Sequence, residues 1–317
     1  MNKTPLLKIN KLKKYFDTPK GKLHAVDGIN LSINKGDTLG IVGESGCGKS
    51  TLGRTVLRLI EPTEGEIYYD NENIVSYNKE KMKLLRLKMQ IIFQDPYSSL
   101  NPRLSVAGII AEPMIVNKMY RSKSELNEKV RELMETVGLA PRLMNSYPHE
   151  LDGGRRQRIG VARALATNPN FIVCDEPVSA LDVSIQAQIL NLMMDLQENK
   201  ELSYMFITHD LSVVKHISDN IAVMYLGQCV EYASTEELFK NPTHPYTKAL
   251  LAAIPVIDIT KKGKKPDLLK GEVTSPINPP VGCRFASRCK YVSQRCKEEN
   301  ISLKKVDDNH YAACILI

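Results

Sequence analysis

The chain has 317 residues, 43% of them apolar and 25% charged. This ordinary globular composition excludes collagen-like and disordered classes and leaves room for one large α/β domain with an appendage, or two modest domains. The net charge is +7 and is unevenly placed: beyond residue 255, 12 Lys and Arg stand against 7 Asp and Glu.

A basic tail suits anionic lipid or nucleic acid; we read its run Lys261-Lys262-Gly263-Lys264-Lys265 as a solvated linker. The longest apolar run, 249–257, is broken by Pro255, and spanning a bilayer takes about 20 apolar residues. The opening Met1-Asn2-Lys3-Thr4-Pro5 lacks the apolar core of a signal peptide. The chain is therefore expected in the cytosol, with any work at a membrane done through partners.

In chain order, 6–16 and 28–33 predict strands near a sheet edge. Residues 37–42 predict a buried strand ending at Gly43, and 50–59 the helix fed by the glycine-rich turn between them. Helices are predicted over 123–137 and 145–168, as an insertion lying roughly between 95 and 168. Further buried strands are predicted at 171–174, ending at Asp175, and at 204–207, ending at Thr208-His209. Short apolar strands alternating with helices predict an α/β fold with a mainly parallel sheet covered on both faces. From Asn241 prolines punctuate the chain, and the domain boundary is placed near residue 255, giving 1–255 and 256–317.

Gly43-Glu44-Ser45-Gly46-Cys47-Gly48-Lys49-Ser50-Thr51 is a full match to G-x-x-x-x-G-K-[ST]. The glycines let successive backbone N–H groups face one anion, and the following helix adds the positive end of its dipole. Lys49 is placed to reach the outer phosphates of a nucleoside triphosphate and Ser50 to offer its hydroxyl to Mg²⁺. Asp175 at a strand end suits Mg²⁺, and Glu176 suits a base for the attacking water.

Between these elements lies Leu151-Asp152-Gly153-Gly154-Arg155-Arg156-Gln157-Arg158, which resembles the L-S-G-G-Q signature of ATP-binding cassette (ABC) proteins. Gln94 resembles the Q-loop glutamine, 179–182 the D-loop, His209 the switch histidine, and Phe16, beside Tyr15, the aromatic that stacks on adenine. The resemblance covers roughly 6–255 and implies a P-loop NTPase with an antiparallel edge subdomain and a helical subdomain. It also implies that Gln94 joins Ser50 and Asp175 around Mg²⁺. Two cassettes pair head to tail in that family, so Gly153 and Gly154 would complete a γ-phosphate shell across the interface. Asp152 stands where the family has serine, and Arg155 where it has glutamine. The carboxylate should repel a γ-phosphate; Arg155 offsets this by pairing with Asp152 or by reaching the phosphate itself.

The segment 241–251, from Asn241 through His244-Pro245-Tyr246, resembles the mark of the oligopeptide, dipeptide and nickel importer subfamily, in its F-like cassette. The implied partners are a second, paralogous cassette, two transmembrane subunits and an extracytoplasmic binding protein. The implied place of work is the cytoplasmic face of the membrane. Cys283, Cys289, Cys296 and Cys314 do not follow paired C-x2-C zinc spacing. In the resembling subfamily such a tail holds a [4Fe–4S] cluster, with zinc or a small thiol core as alternatives. A free-standing nucleic-acid-stimulated ATPase is the rival from another class. The tail lacks the interleaved aromatics that base stacking needs, and only about a hundred residues separate Gly43 from Leu151, which leaves no room for the coiled coil of chromosome-organising cassettes.

Overall fold

A computed structural model describes residues 4–254 and 275–317. The expected boundary at 255 and the lysine-rich run 261–265 lie outside the described residues. The chain divides into two compact units. One gathers 34–37 and 76–205; the other gathers 4–33, 38–75 and 206–317, so that the cysteine-bearing tail and the glycine-rich loop share a unit.

The chain opens with two long strands, β1 (Pro5–Thr18) and β2 (Gly21–Asn34), followed by β3 (Thr38–Val42) and helix α1 (Lys49–Val56). Strands β4 (Glu64–Tyr69) and β5 (Glu72–Asn73) then complete an antiparallel sheet ordered β2-β1-β4-β5, the expected edge subdomain. Every residue of β3, Thr-Leu-Gly-Ile-Val, is buried, as a strand covered on both faces requires.

The other unit begins with α2 (Lys79–Lys88) and β6 (Met89–Ile92). Three helices follow: α3 (Val106–Val116), α4 (Lys123–Thr136) and α5 (Gly153–Leu165). Each is opened by a side chain accepting a backbone N–H, from Ser105, Ser122 and Asp152 respectively, which satisfies an otherwise orphaned donor. β7 (Phe171–Asp175) runs parallel to β6 in register Met89↔Phe171 to Ile92↔Cys174. α6 (Val183–Lys200) and the start of β8 (Ser203–Ile207) end this unit.

Two expectations are corrected here. The helix read over 145–168 is confined to α5, because Pro148 starts a separate 3₁₀ turn through Glu150 and extended Leu151 and Asp152 precede the new cap. The helix expected over 50–59 ends at Val56, where Arg58 soon takes a left-handed backbone (φ 48°). α3 has no counterpart among the predicted helices, since its apolar residues fall on most sides and no amphipathic period marks it.

The chain returns to the unit of the glycine-rich loop with α7 (Leu211–Ile217), β9 (Asn220–Tyr225), β10 (Gln228–Ser234), α8 (Thr235–Lys240) and α9 (Pro245–Ala252). The tail contributes α10 (Arg295–Glu298), β11 (Lys304–Asp307) and β12 (His310–Ala312). β3 pairs in parallel with β9, and the order continues through β10 and β12 to β11. The tail is thus woven into the sheet that carries the loop. A second seam lies on β2, where His24 N–H donates to Pro276 O at 3.0 Å and Asn278 N–H to Lys22 O at 2.9 Å. Among the described residues no helix is long and apolar enough to cross a membrane.

Candidate phosphate-binding site

The expected site residues fall in both units. Phe16, the loop 43–51 and His209 belong to one; Gln94, Gly153, Gly154, Asp175 and Glu176 belong to the other.

In the first, β3 delivers the chain to Gly43 and α1 takes it up at Lys49. Gly43, Gly46 and Gly48 have φ of 151°, 76° and 102°. A Cβ on Gly43 would meet Met224 O at 2.2 Å, and one on Gly48 would meet Ala25 O at 1.9 Å. The loop's curl therefore depends on glycine by both conformation and space. The buried Lys49 Nζ donates to Gly43 O at 2.7 Å and Glu44 O at 3.0 Å. The ammonium is held on the loop's own carbonyls, and a phosphate would take it over by exchanging these partners. Cys47 is buried beneath the loop, and burial pushes its thiol pKa up. Ser45 is exposed, while Ser50 and Thr51 at the helix start are partly open.

Tyr15 and Phe16 are told apart by their surroundings. The Tyr15 ring stacks on His24 at 4.0 Å and its hydroxyl donates to Asp27. Phe16 carries the Lys14 ammonium 4.9 Å above its ring. His209 is exposed just after β8, and the following Asp210 caps α7 through Ser212 N–H at 2.7 Å. A cavity of about 900 Å³ bounded by Lys8, Lys13, His24 and Arg284 includes none of residues 43–51 among its walls.

In the other unit Asp175 ends β7, 1% exposed, and Glu176 follows with φ 49°. Such a left-handed backbone at a non-glycine residue is a strain of the kind found at functional sites. Gln94 Nε2 donates to Glu176 Oε2 at 2.9 Å, bringing two predicted residues into direct contact. Gly153 and Gly154 open α5 under α6 and the turn before it: a Cβ on Gly154 would meet Ile185 Cγ2 at 2.7 Å, and one on Gly153 would meet Leu181 Cδ2 at 3.1 Å. Close packing thus gives both glycines a structural reason of their own. Asp152 accepts from Arg155 N–H at 2.8 Å and pairs with Arg155 Nη1 at 3.2 Å. Of the two readings of Arg155, the structure contains the pairing with Asp152, on a half-exposed surface. The Gln94 loop is tied to α5 by Arg156, stacked 4.6 Å from the Tyr97 ring, and by Arg163, donating to Ser99 O at 2.6 Å.

The four tail cysteines line one small cavity with His244, Phe285 and Tyr291. They do not form the expected coordination shell: among the described residues no three His, Cys, Asp or Glu side chains are grouped to hold a metal ion. Burial pushes the Cys283 thiol up to about 11 and raises Cys289. Cys296 Sγ lies 3.5 Å from Ser293 Oγ.

Two contacts were not foreseen. Tyr246 of the segment 241–251 accepts the Glu44 N–H at 2.9 Å, and Arg288 grips the Glu44 carboxylate at 2.7 and 3.0 Å. Both partners lie about two hundred residues or more from the loop in sequence, beyond the reach of any periodic signal.

A family model described as "ABC transporter" matches residues 26–179, and one described as "Oligopeptide/dipeptide transporter, C-terminal region" matches 230–296. The oligopeptide transport ATP-binding protein AppF of Bacillus subtilis is 51% identical, covering 99% of this chain and 98% of its own length. The dipeptide transport ATP-binding protein DppF of Haemophilus influenzae is 49% identical, covering 99% and 97%. An ATP-binding cassette solved as a dimer in a post-hydrolysis state with ADP and Pi superposes with a TM-score of 0.66 and 30% identity, covering 72% of this chain and 98% of that one.

Proposed function

Because the chain belongs to the ABC transporter ATP-binding proteins of the oligopeptide and dipeptide type, we propose that it hydrolyses ATP to energise peptide import across the cytoplasmic membrane. The observation that carries this reading is one compact unit holding both the 43–51 loop and the His244-Pro245-Tyr246 segment, joined by the Tyr246–Glu44 contact. The choice of peptide over nickel or another solute rests on what the relatives transport.

The loop amides and the α1 N-terminus receive the phosphates, and Lys49 turns from the carbonyls of residues 43 and 44 to the outer phosphates. Phe16 takes the adenine. Mg²⁺, which the hard oxygen donors Ser50 and Asp175 together with Gln94 suit, supplies charge neutralisation on the phosphates when bound. Glu176 accepts a proton from the attacking water. Its bond from Gln94 orients the carboxylate, so a shift of the Gln94 loop would change the base's aim. His209 senses the γ-phosphate. Two cassettes pair head to tail, this chain with a paralogous partner, beneath two membrane subunits fed by a binding protein, on the cytoplasmic face. Gly153 and Gly154 face the partner's nucleotide.

A [4Fe–4S] site at the four cysteines, with zinc as the alternative, rests on the likeness of the tail to the subfamily and not on the geometry of the thiols, which share a cavity without forming a shell among the described residues. Anaerobic purification with iron, acid-labile sulfide and zinc analysis tests it. For transport, the chain is purified with its membrane partners and reconstituted in vesicles. ATP-dependent uptake of labelled peptides, lost on Lys49→Ala, is expected. Uptake of nickel alone, or recovery with nucleic acid and no membrane protein, would replace the reading.

A further inference from the structure

The cysteine-bearing tail reaches the phosphate loop from two sides. Arg284 donates to the Leu226 carbonyl and to the Asp27 carboxylate. The adjacent Gly227 N–H holds the loop's Cys47 O at 2.8 Å. Phe285 packs edge-on to Tyr225 at 5.3 Å and lies 5.4 Å from Tyr246. On that base Arg288 extends to Glu44, its side chain only 5% exposed.

Glu44 is consequently held at every polar group. Its N–H goes to Tyr246, its carboxylate to both terminal nitrogens of Arg288, and its carbonyl takes Lys49 Nζ. A carboxylate in the loop that receives a polyanion opposes binding unless it is neutralised. A fork-to-fork guanidinium pair at a largely dehydrated site does this, with fixed geometry. The Tyr246 hydroxyl also sets the facing of the loop's second peptide, whose carbonyl is one of the two that hold Lys49.

We propose that Arg288, together with Tyr246, is a positioning residue for nucleotide binding: the C-terminal extension neutralises and orients Glu44 so that the loop accepts a triphosphate. Neither residue touches the nucleotide; both act through Glu44. The proposal rests on the reading of 43–51 as a nucleoside triphosphate site.

The test is a double-mutant cycle in the full chain, with Arg288→Ala, Glu44→Gln and both together. Affinity for Mg-ATP is read by displacement of trinitrophenyl-ATP, and folding by thermal melting. Arg288→Ala exposes an uncompensated carboxylate and should weaken Mg-ATP binding about tenfold, which is about 1.4 kcal/mol. The double variant should return to within about threefold of wild type, since the offending charge has gone. The defect of Arg288→Ala should also shrink as salt rises from about 50 to about 500 mM, because screening weakens the charge. A merely structural arginine would give a double variant as weak as Arg288→Ala and no salt dependence. If Arg288→Ala does not fold, Arg288→Gln, which keeps donors without charge, is run through the same cycle. Wild-type affinity in the arginine variant, or no recovery in the double variant, overturns the proposal. Wild-type chain that binds no Mg-ATP would instead remove the nucleotide reading of the loop, and this proposal with it.

Discussion

Glu231 joins the segment 241–247 and β12 to β10 through one buried carboxylate, and its removal should cost more than any surface substitution. It is fully buried and accepts from Thr243 N–H at 2.7 Å, His244 N–H at 2.9 Å and His310 Nε2 at 2.8 Å. In Glu231→Ala the half-buried Thr243 amide and the buried His244 amide lose their acceptor, and the 1%-exposed His310 keeps only longer contacts, to Thr243 Oγ1 at 3.5 Å and Glu237 at 3.7 Å. Leaving a buried donor unsatisfied costs about 1–3 kcal/mol, so we expect a loss of roughly 3–5 kcal/mol. Glu231→Gln keeps one acceptor oxygen and should lose about half of that. Urea denaturation of the full chain, followed by far-UV circular dichroism, measures both. A loss below about 1 kcal/mol for Glu231→Ala would show that the three donors find other partners, and would refute the claim that this carboxylate pins the segment 241–247 to β12.

Three further outcomes are expected. Asp152→Ser should leave stability within about 0.5 kcal/mol, because serine caps a helix as well as aspartate, while raising ATPase in the assembled complex; an unchanged rate would show that the carboxylate does not face a phosphate. Glu176→Gln should keep Mg-ATP binding and lower hydrolysis at least ~10²-fold, the usual contribution of a general base; a rate within tenfold of wild type would move the base elsewhere. Tyr97→Ala removes a 63%-exposed ring stacked on Arg156, so nucleotide affinity should hold while vesicle uptake falls to background. Full uptake would remove Tyr97 from the coupling of the loop after Gln94, through Tyr97 to Val116, to the membrane subunits.

The phosphate loop was legible because its chemistry is local. A buried strand, a turn that only glycine can make and a helix start lie within about a dozen consecutive residues, and each leaves its own mark. Asp175 and Glu176 were legible for the same reason, at the end of the apolar run Phe171-Ile172-Val173-Cys174. α3 was not, since a helix apolar on most sides and carrying Pro113 lacks the 3.6-residue contrast. The start of α5 was misjudged because Pro148 and the Asp152 cap compete for the helix entry. The Arg288–Glu44 pair spans 244 positions and has no local signature. Its arginine is one of three in a basic tail, and no spacing singles it out. The gathering of the four cysteines around one cavity follows their crowding in the tail, but spacing does not dictate side-chain directions, and the coordination shell drawn from it is not formed.

The pairing of β12 with β10, in register Glu231↔Ala312 and Tyr232↔Tyr311, bears on how such a protein can be trimmed. The outermost strand is β11, four residues long, exposed throughout and opening with two lysines. Short, charged edges of this kind resist chain-to-chain strand addition. Cutting the chain after residue 254 would exchange that edge for β10, seven residues of mostly buried, largely apolar sequence. The truncated cassette would present an open template for sheet growth, and should precipitate or self-associate where the intact chain stays monodisperse. The hairpin at the end of the tail is, in this sense, a solubility device.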